Sequence, residues 1–207
     1  MTARDAILSR LGGTMTPSAI ADEAAALLVA PERPPVAMTA LEGTFAERLA
    51  LPSVAASYDR IADWSEVPEA VRRYCAANGL PAVLCLPPDP RLTALDWDGV
   101  TLHDGAAPDE DAALAIARCG VAETGSLVFE TSREAPMLPN FLALHHLVIV
   151  PTLVAHLEDA ILPGAQPRAH YWVTGVSGTT DIEGTYVRGA HGPRFLHVIR
   201  LATPLKR

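Results

Sequence analysis

A chain of 207 residues that is 49% hydrophobic can bury one substantial core with a small appendage, and no apolar run reaches the roughly 20 residues of a membrane-spanning helix. The net charge of −8 argues against a nucleic-acid binder, which needs a basic stripe. Lys206 is the only lysine and lies one residue from the C-terminal end; phosphate loops of the Walker type and Schiff-base enzymes both need an internal lysine, so both classes drop out.

The opening stretch, Met1 to Arg10, mixes charges of both signs and lacks the apolar core of a secretory signal. Apolar Ile7, Leu8 and Leu11 mark a short helix over 4–11, ended by Gly12-Gly13. An alanine-rich helix follows at 22–29, and three prolines between Pro31 and Pro35 exclude regular structure. Residues 1–40 therefore read as a helical arm and linker, and 41–207 as the body.

Within the body the pattern alternates. A helix is expected over 44–51, a short strand over 53–58, and a helix over 67–78 with Val71, Tyr74 and Cys75 on one face and Gly79 as its stop. The apolar run 82–86, closed by Pro87-Pro88, fits a strand covered on both sides. After an irregular region with a strand at 100–103, Asp109 is expected to cap a helix running to Arg118. Short strands follow at 120–124 and 127–130, and a fully apolar one at 147–150. Thr152 is expected to cap a helix over 153–161, and 163–167 forms a loop. Strands at 170–173 and 195–201 close the chain. Strands alternating with helices indicate an α/β fold, a mostly parallel sheet with helices on both faces. Ligands of such sheets sit beyond the carboxyl ends of the strands, where the loops at Gly125 and Gly175 would meet.

Chemistry-bearing residues gather in those loops. Glu123 ends a strand ahead of Thr124, Gly125 and Ser126; it reads either as a desolvated carboxylate serving as acid, base or nucleophile, or as a brace for the turn. Gly175, Ser177, Gly178, Thr179 and Thr180 offer backbone and hydroxyl donors to a carboxylate or phosphate, or else cap the next segment. Thr179 stands where a nucleophile elbow needs glycine, so Ser177 is not a hydrolase serine. Asp181, Glu183 and His191 form an acid–base set without metal-ligand spacing, and no metal is expected. Arg194 is a candidate clamp for a carboxylate, with an ion pair to Asp181 or Glu183 as the alternative. One of His145 and His146 must face the core or the cleft, and Arg133 lies in a loop suited to a lid. Cys75, Cys85 and Cys119 form no Cys-x-x-Cys pair, which points to a reducing, cytoplasmic compartment and to no iron–sulfur ligation by this chain.

Four motifs in order carry a family resemblance: Ala122-Glu123-Thr124-Gly125-Ser126, the HHLVIVP run at 145–151, GVSGTTDIE at 175–183 and GAHGPR at 189–194. Together they resemble the LUD domain of lactate-utilisation protein C and its relatives, over about 41–203. The chain departs from the family's common pattern at Val176 and Thr180. The resemblance implies a fold like that of the ribose-phosphate isomerase and CoA-transferase group. It also implies a subunit of a system oxidising L-lactate to pyruvate, whose partner proteins carry the iron–sulfur clusters. Within such a system the chain would bind a small anionic organic acid or a cofactor of unknown identity, or dock its partners. The alternative is a stand-alone isomerase or CoA-transferase-like enzyme using Glu123.

Overall fold

The structure, a computed structural model, describes residues 3–10, 15–29, 33–161 and 167–202. The expected stop at Gly12-Gly13 and nearly all of the loop at 163–167 lie outside the described residues. The chain divides into two compact units, Met1–Pro35 and Val36–Arg207. The first holds helices α1 (Ala3–Arg10) and α2 (Pro17–Val29). No described helix is long and apolar enough to cross a membrane.

In the second unit, α3 (Leu41–Leu49) leads to strand β1 (Ala56–Ile61), helix α4 (Val67–Ala77) and strand β2 (Val83–Cys85). A single turn, α5 (Pro90–Thr93), precedes β3 (Thr101–His103) and β4 (Ala112–Ile116). Strands β5 (Cys119–Val121) and β6 (Ser126–Glu130) form a hairpin, and the short α6 (Pro139–Leu142) enters β7 (His145–Val150). Then come β8 (Leu153–Val154), β9 (His170–Val173), the hairpin β10 (Gly178–Thr180) and β11 (Tyr186–Arg188), and finally β12 (Phe195–Leu201).

The central sheet has the order β1-β12-β7-β4-β2-β3, with every pair parallel. Side chains alternate between its faces with a period of two. Leu147, Ile149, Ile199 and Leu201 pack with Val67, Val71 and Tyr74 of α4 on one face. Val148, Val150, Leu196 and Val198 face Phe45 and Leu49 of α3 on the other. A helix thus covers each face of a mostly parallel sheet, as the alternating pattern indicates.

A second sheet, β8-β5-β6-β9, shares the α3 side through Leu127 and Phe129. Its hairpin and β9 pair antiparallel, so 120–124, 127–130 and 170–173 do not belong to the parallel array. Two expected helices are not formed. The stretch expected to be a helix over 109–118 contains β4, whose Ala112 to Leu114 are all but inaccessible between β2 and β7. Alanine-rich sequence favours helix in isolation, but a site between two covered faces rewards small apolar residues in a strand. The stretch 153–161 instead pairs Leu153 and Val154 with β5 and then makes one tight turn over Leu157–Ala160. Pairing with an open strand edge outweighs the cap that Thr152 offers.

Candidate functional site

The register of β7 and β12 fixes two histidine environments. His145 and His197 point toward α4. Tyr74 hydroxyl lies 2.9 Å from Nδ1 of His145, and its ring stacks on His197 at 4.3 Å. Nδ1 of His197 also meets the Ser57 hydroxyl at 2.8 Å. Burial pushes the His197 imidazole down to about 4, against the opposing pull of Asp59.

His146 points the other way and is fully inaccessible. Phe129 stacks against it at 5.8 Å, yet among the described residues neither ring nitrogen has a hydrogen-bond partner. Burial alone pushes this imidazole down to about 3, so it stays neutral at any physiological pH. A neutral ring keeps one donor and one acceptor, and leaving both unused inside a protein is costly. The ring lines a cleft of about 250 Å³ that also receives Ser177, Gly175, His191, Trp172 and Phe141.

Three segments build this cleft. The chain leaves β9 of the second sheet at Trp172 and Val173 and must reach β12 of the central sheet. Along the way Gly175 takes φ +83, and a Cβ there would lie 2.6 Å from the Val54 carbonyl. The Val176 N–H donates to that carbonyl at 3.0 Å. Ser177 N–H donates to Pro193 O at 2.8 Å, and the Gly189 N–H donates to Ser177 O at 2.9 Å. Gly192 packs on Ser177, where a Cβ would meet its hydroxyl at 3.1 Å. The Ser177 backbone is thereby fixed on both sides. The third segment is α6, whose Asn140 donates to the Tyr171 hydroxyl at 2.7 Å.

Of the expected site residues, Gly175, Ser177 and His191 come together here. Thr124 and Ser126 join them indirectly. Their hydroxyls lie 2.7 Å apart, and Ser126 continues to Thr174 Oγ1 at 2.6 Å, tying the hairpin turn to the strand end beside Gly175. Gly125, at φ +73, gives α3 its close approach, since a Cβ would sit 3.1 Å from Cβ of Arg48.

The remaining candidates lie outside this cleft lining. The Glu123 carboxylate accepts the Leu157 N–H at 2.6 Å. Asp181 accepts from the N–H groups of Glu183 and Thr185 at 2.9 and 2.7 Å, closing the exposed tip of the β10–β11 hairpin. Thr179, Thr180 and Glu183 are exposed on that hairpin, and Gly178 lies beneath the Tyr186 ring with no room for a Cβ. Arg194 is exposed with its guanidinium 5.8 Å from the Phe195 ring centre; among the described residues it pairs with neither Asp181 nor Glu183.

The cleft opens at the amino ends of β7 and β12, since His146 and Leu196 are the second residues of those strands. The expectation that the glycine loops meet at the carboxyl ends is corrected, because Gly175 follows a strand of the other sheet. His146 was visible as an alternative within a histidine pair. Asn140, Phe141 and Trp172 carried no signal in the sequence beyond polarity or aromaticity.

Comparison with known proteins places these elements among relatives. Residues 106–201 match the LUD domain family model. The chain is 30% identical over 159 residues to a lactate utilization protein C of Geobacillus kaustophilus, spanning 62% of this chain and 66% of that protein. A lactate utilization protein C of Deinococcus radiodurans is 31% identical over 96 residues, 43% of this chain and 45% of that one. An uncharacterised protein of Neisseria meningitidis serogroup B is 30% identical over 98 residues. Two of these matches span less than half of the relative's length, and the third about two thirds. A crystal structure of a DUF162 family protein from Deinococcus radiodurans shares the fold, with a TM-score of 0.57 and 17% identity over 81% of this chain and all of that one.

Proposed function

Taking as premise that residues 106–201 of this chain are an LUD domain, we propose that the protein serves lactate utilisation by binding a small 2-hydroxy or 2-oxo acid in the cleft at His146. The observation that carries this reading is the inaccessible imidazole with two unused nitrogens at the wall of a hollow of about 250 Å³. That volume lies below the range of drug-sized pockets, about 300–1,000 Å³, and suits an acid of a few carbons with some water. On a rotation that turns a nitrogen of this sealed ring into the cleft, the imidazole pairs with the acid's hydroxyl or keto oxygen, and Ser177 hydroxyl with its carboxylate. His191, exposed at the mouth, is the third polar group.

Oxidising lactate to pyruvate removes two electrons and two protons. The neutral His146 imidazole accepts a hydrogen bond from the hydroxyl, and both electrons and both protons pass to an acceptor on a partner protein. Cys75, Cys85 and Cys119 lie in three separate core clusters, which supports placing iron–sulfur chemistry on partner proteins. Phe141, Leu144, Trp172 and Phe195, each at least 40% exposed, provide apolar surface for such a partner.

Calorimetric titration with lactate and with pyruvate tests the binding step. Binding is expected for the natural protein, weakened at least tenfold in His146→Gln and in Ser177→Ala. Absence of binding by either acid, or unchanged affinity in both variants, refutes it. Growth on lactate of a strain lacking the gene should be restored by the natural protein and not by His146→Gln.

A further inference from the structure

The far edge of the central sheet brings together three donors that are scattered in sequence. Strand register sets Cys85 of β2 opposite His103 of β3, and Cys85 is also paired with Ala113 of β4. Because β4 begins where β2 and β3 end, eight residues suffice to connect β3 to β4 across the end of β2. Gly105, at φ +76, turns that connection and lays Glu110 over Cys85. One donor atom from each of Cys85, His103 and Glu110 lies within 4.8 Å of the others.

The setting is unlike an ordinary surface ion pair. Glu110 is only 6% exposed, with Oε1 3.2 Å from Nε2 of His103 and Oε2 accepting the Ala107 N–H at 3.3 Å. No arginine among the described residues pairs with it. Cys85 is 1% exposed, so its sulfur faces Glu110 and His103 with little water between them. A buried carboxylate beside a thiol and an imidazole is an electrostatic deficit that a divalent cation reverses.

We propose that Cys85, His103 and Glu110 bind a divalent transition-metal ion of the zinc class, leaving a fourth position open to solvent on the half-exposed His103 side. Zinc–ligand distances of about 2.0–2.3 Å at tetrahedral angles set donor atoms roughly 3.3–3.8 Å apart; here one pair stands at 3.2 Å and all three donors lie within 4.8 Å, so small side-chain shifts close the set around an ion. A thiolate–imidazole–carboxylate set selects zinc over magnesium or calcium, which prefer oxygen alone. On binding, the Cys85 thiol releases its proton to solvent. The ion ties the three-residue edge strand β3 and its connection to β2, and it lies away from the His146 cleft, sharing none of its lining residues.

Cobalt(II) reports this site directly. The full chain, stripped with chelator and titrated with cobalt, should take up one equivalent with a thiolate-to-cobalt charge-transfer band in the near ultraviolet. Zinc should abolish the band by displacement. Cys85→Ser should remove that band, and Glu110→Gln and His103→Ala should each weaken cobalt binding at least tenfold. Should Cys85→Ser fail to fold, His103→Ala decides alone, since that side chain is 36% exposed and dispensable to packing. The proposal is overturned by absence of the band, by its survival in Cys85→Ser, or by unchanged affinity in His103→Ala.

Discussion

Replacing His146 with leucine tests whether the imidazole is buried without a hydrogen-bond partner. In the unfolded chain a histidine titrates near 6.5; here His146 is pushed down to about 3 and His197 to about 4, both chiefly by burial. Between those values and 6.5 the unfolded state holds protons that the folded state refuses. Stability is therefore fully present above pH 6.5 and is lost as pH falls toward the folded values. At pH 5 an unfolded histidine has gained about 1.5 pH units of protonation free energy, close to 2 kcal/mol for each of the two rings. The natural protein should thus lose about 4 kcal/mol between pH 7.5 and 5 from these rings, and His146→Leu about 2 kcal/mol. At pH 7.5 the variant should stay within about 1 kcal/mol of the natural protein, since the leucine removes two unused polar atoms as well as the ring contact with Phe129. Urea unfolding at both pH values measures all four stabilities, and carboxylate contributions cancel in the comparison. Equal losses for the two proteins would refute the buried, unpartnered imidazole. A deficit above about 3 kcal/mol at pH 7.5 would show that the ring has a hydrogen-bond partner.

Other substitutions probe the frame around the cleft. Gly175→Ala should cost about 2–4 kcal/mol by thermal unfolding, because its Cβ would strike Val54 O at 2.6 Å on a backbone with φ +83; a change below about 0.5 kcal/mol would deny the close approach. Glu123→Gln should lower stability by about 1–2 kcal/mol through its bond to the Leu157 N–H, and leave acid binding at the cleft unchanged by calorimetry. Asp181→Ala should loosen the hairpin tip, with a stability loss of about 1 kcal/mol or less, and leave acid affinity within twofold. A tenfold loss of binding in either acidic variant would return Glu123 or Asp181 to the site.

Much of this protein was legible before any coordinates, because some patterns are local. The spacing of Val71, Tyr74 and Cys75 with Gly79 beyond them specifies α4, and the apolar runs 147–150 and 195–201 specify strands. The motif order likewise pointed to the LUD family. In the glycine loops, a Cβ on Gly175 would meet Val54 O at 2.6 Å and one on Gly192 would press on Ser177 at 3.1 Å. Misreadings arose where context outweighs propensity: Ala112 to Ile116 is a strand only because β2 and β7 flank it, and Leu153-Val154 because β5 offers an edge.

Sequence by itself determined which segments are apolar, where the chain turns, and which polar residues gather in loops, because each depends on neighbours within a few positions. Tertiary structure decided which loops meet. Assigning β9 to the second sheet and β12 to the first moved the cleft to the amino ends of the strands and left Glu123 and Asp181 outside its lining. Strand register decided that His146 turns into the cleft while His145 turns to Tyr74. The order β4-β2-β3 likewise brought Cys85, His103 and Glu110 together from positions with no motif spacing. Such encounters rest on pairing between distant segments, and hydrophobic pattern along the chain carries no record of which strand lies beside which.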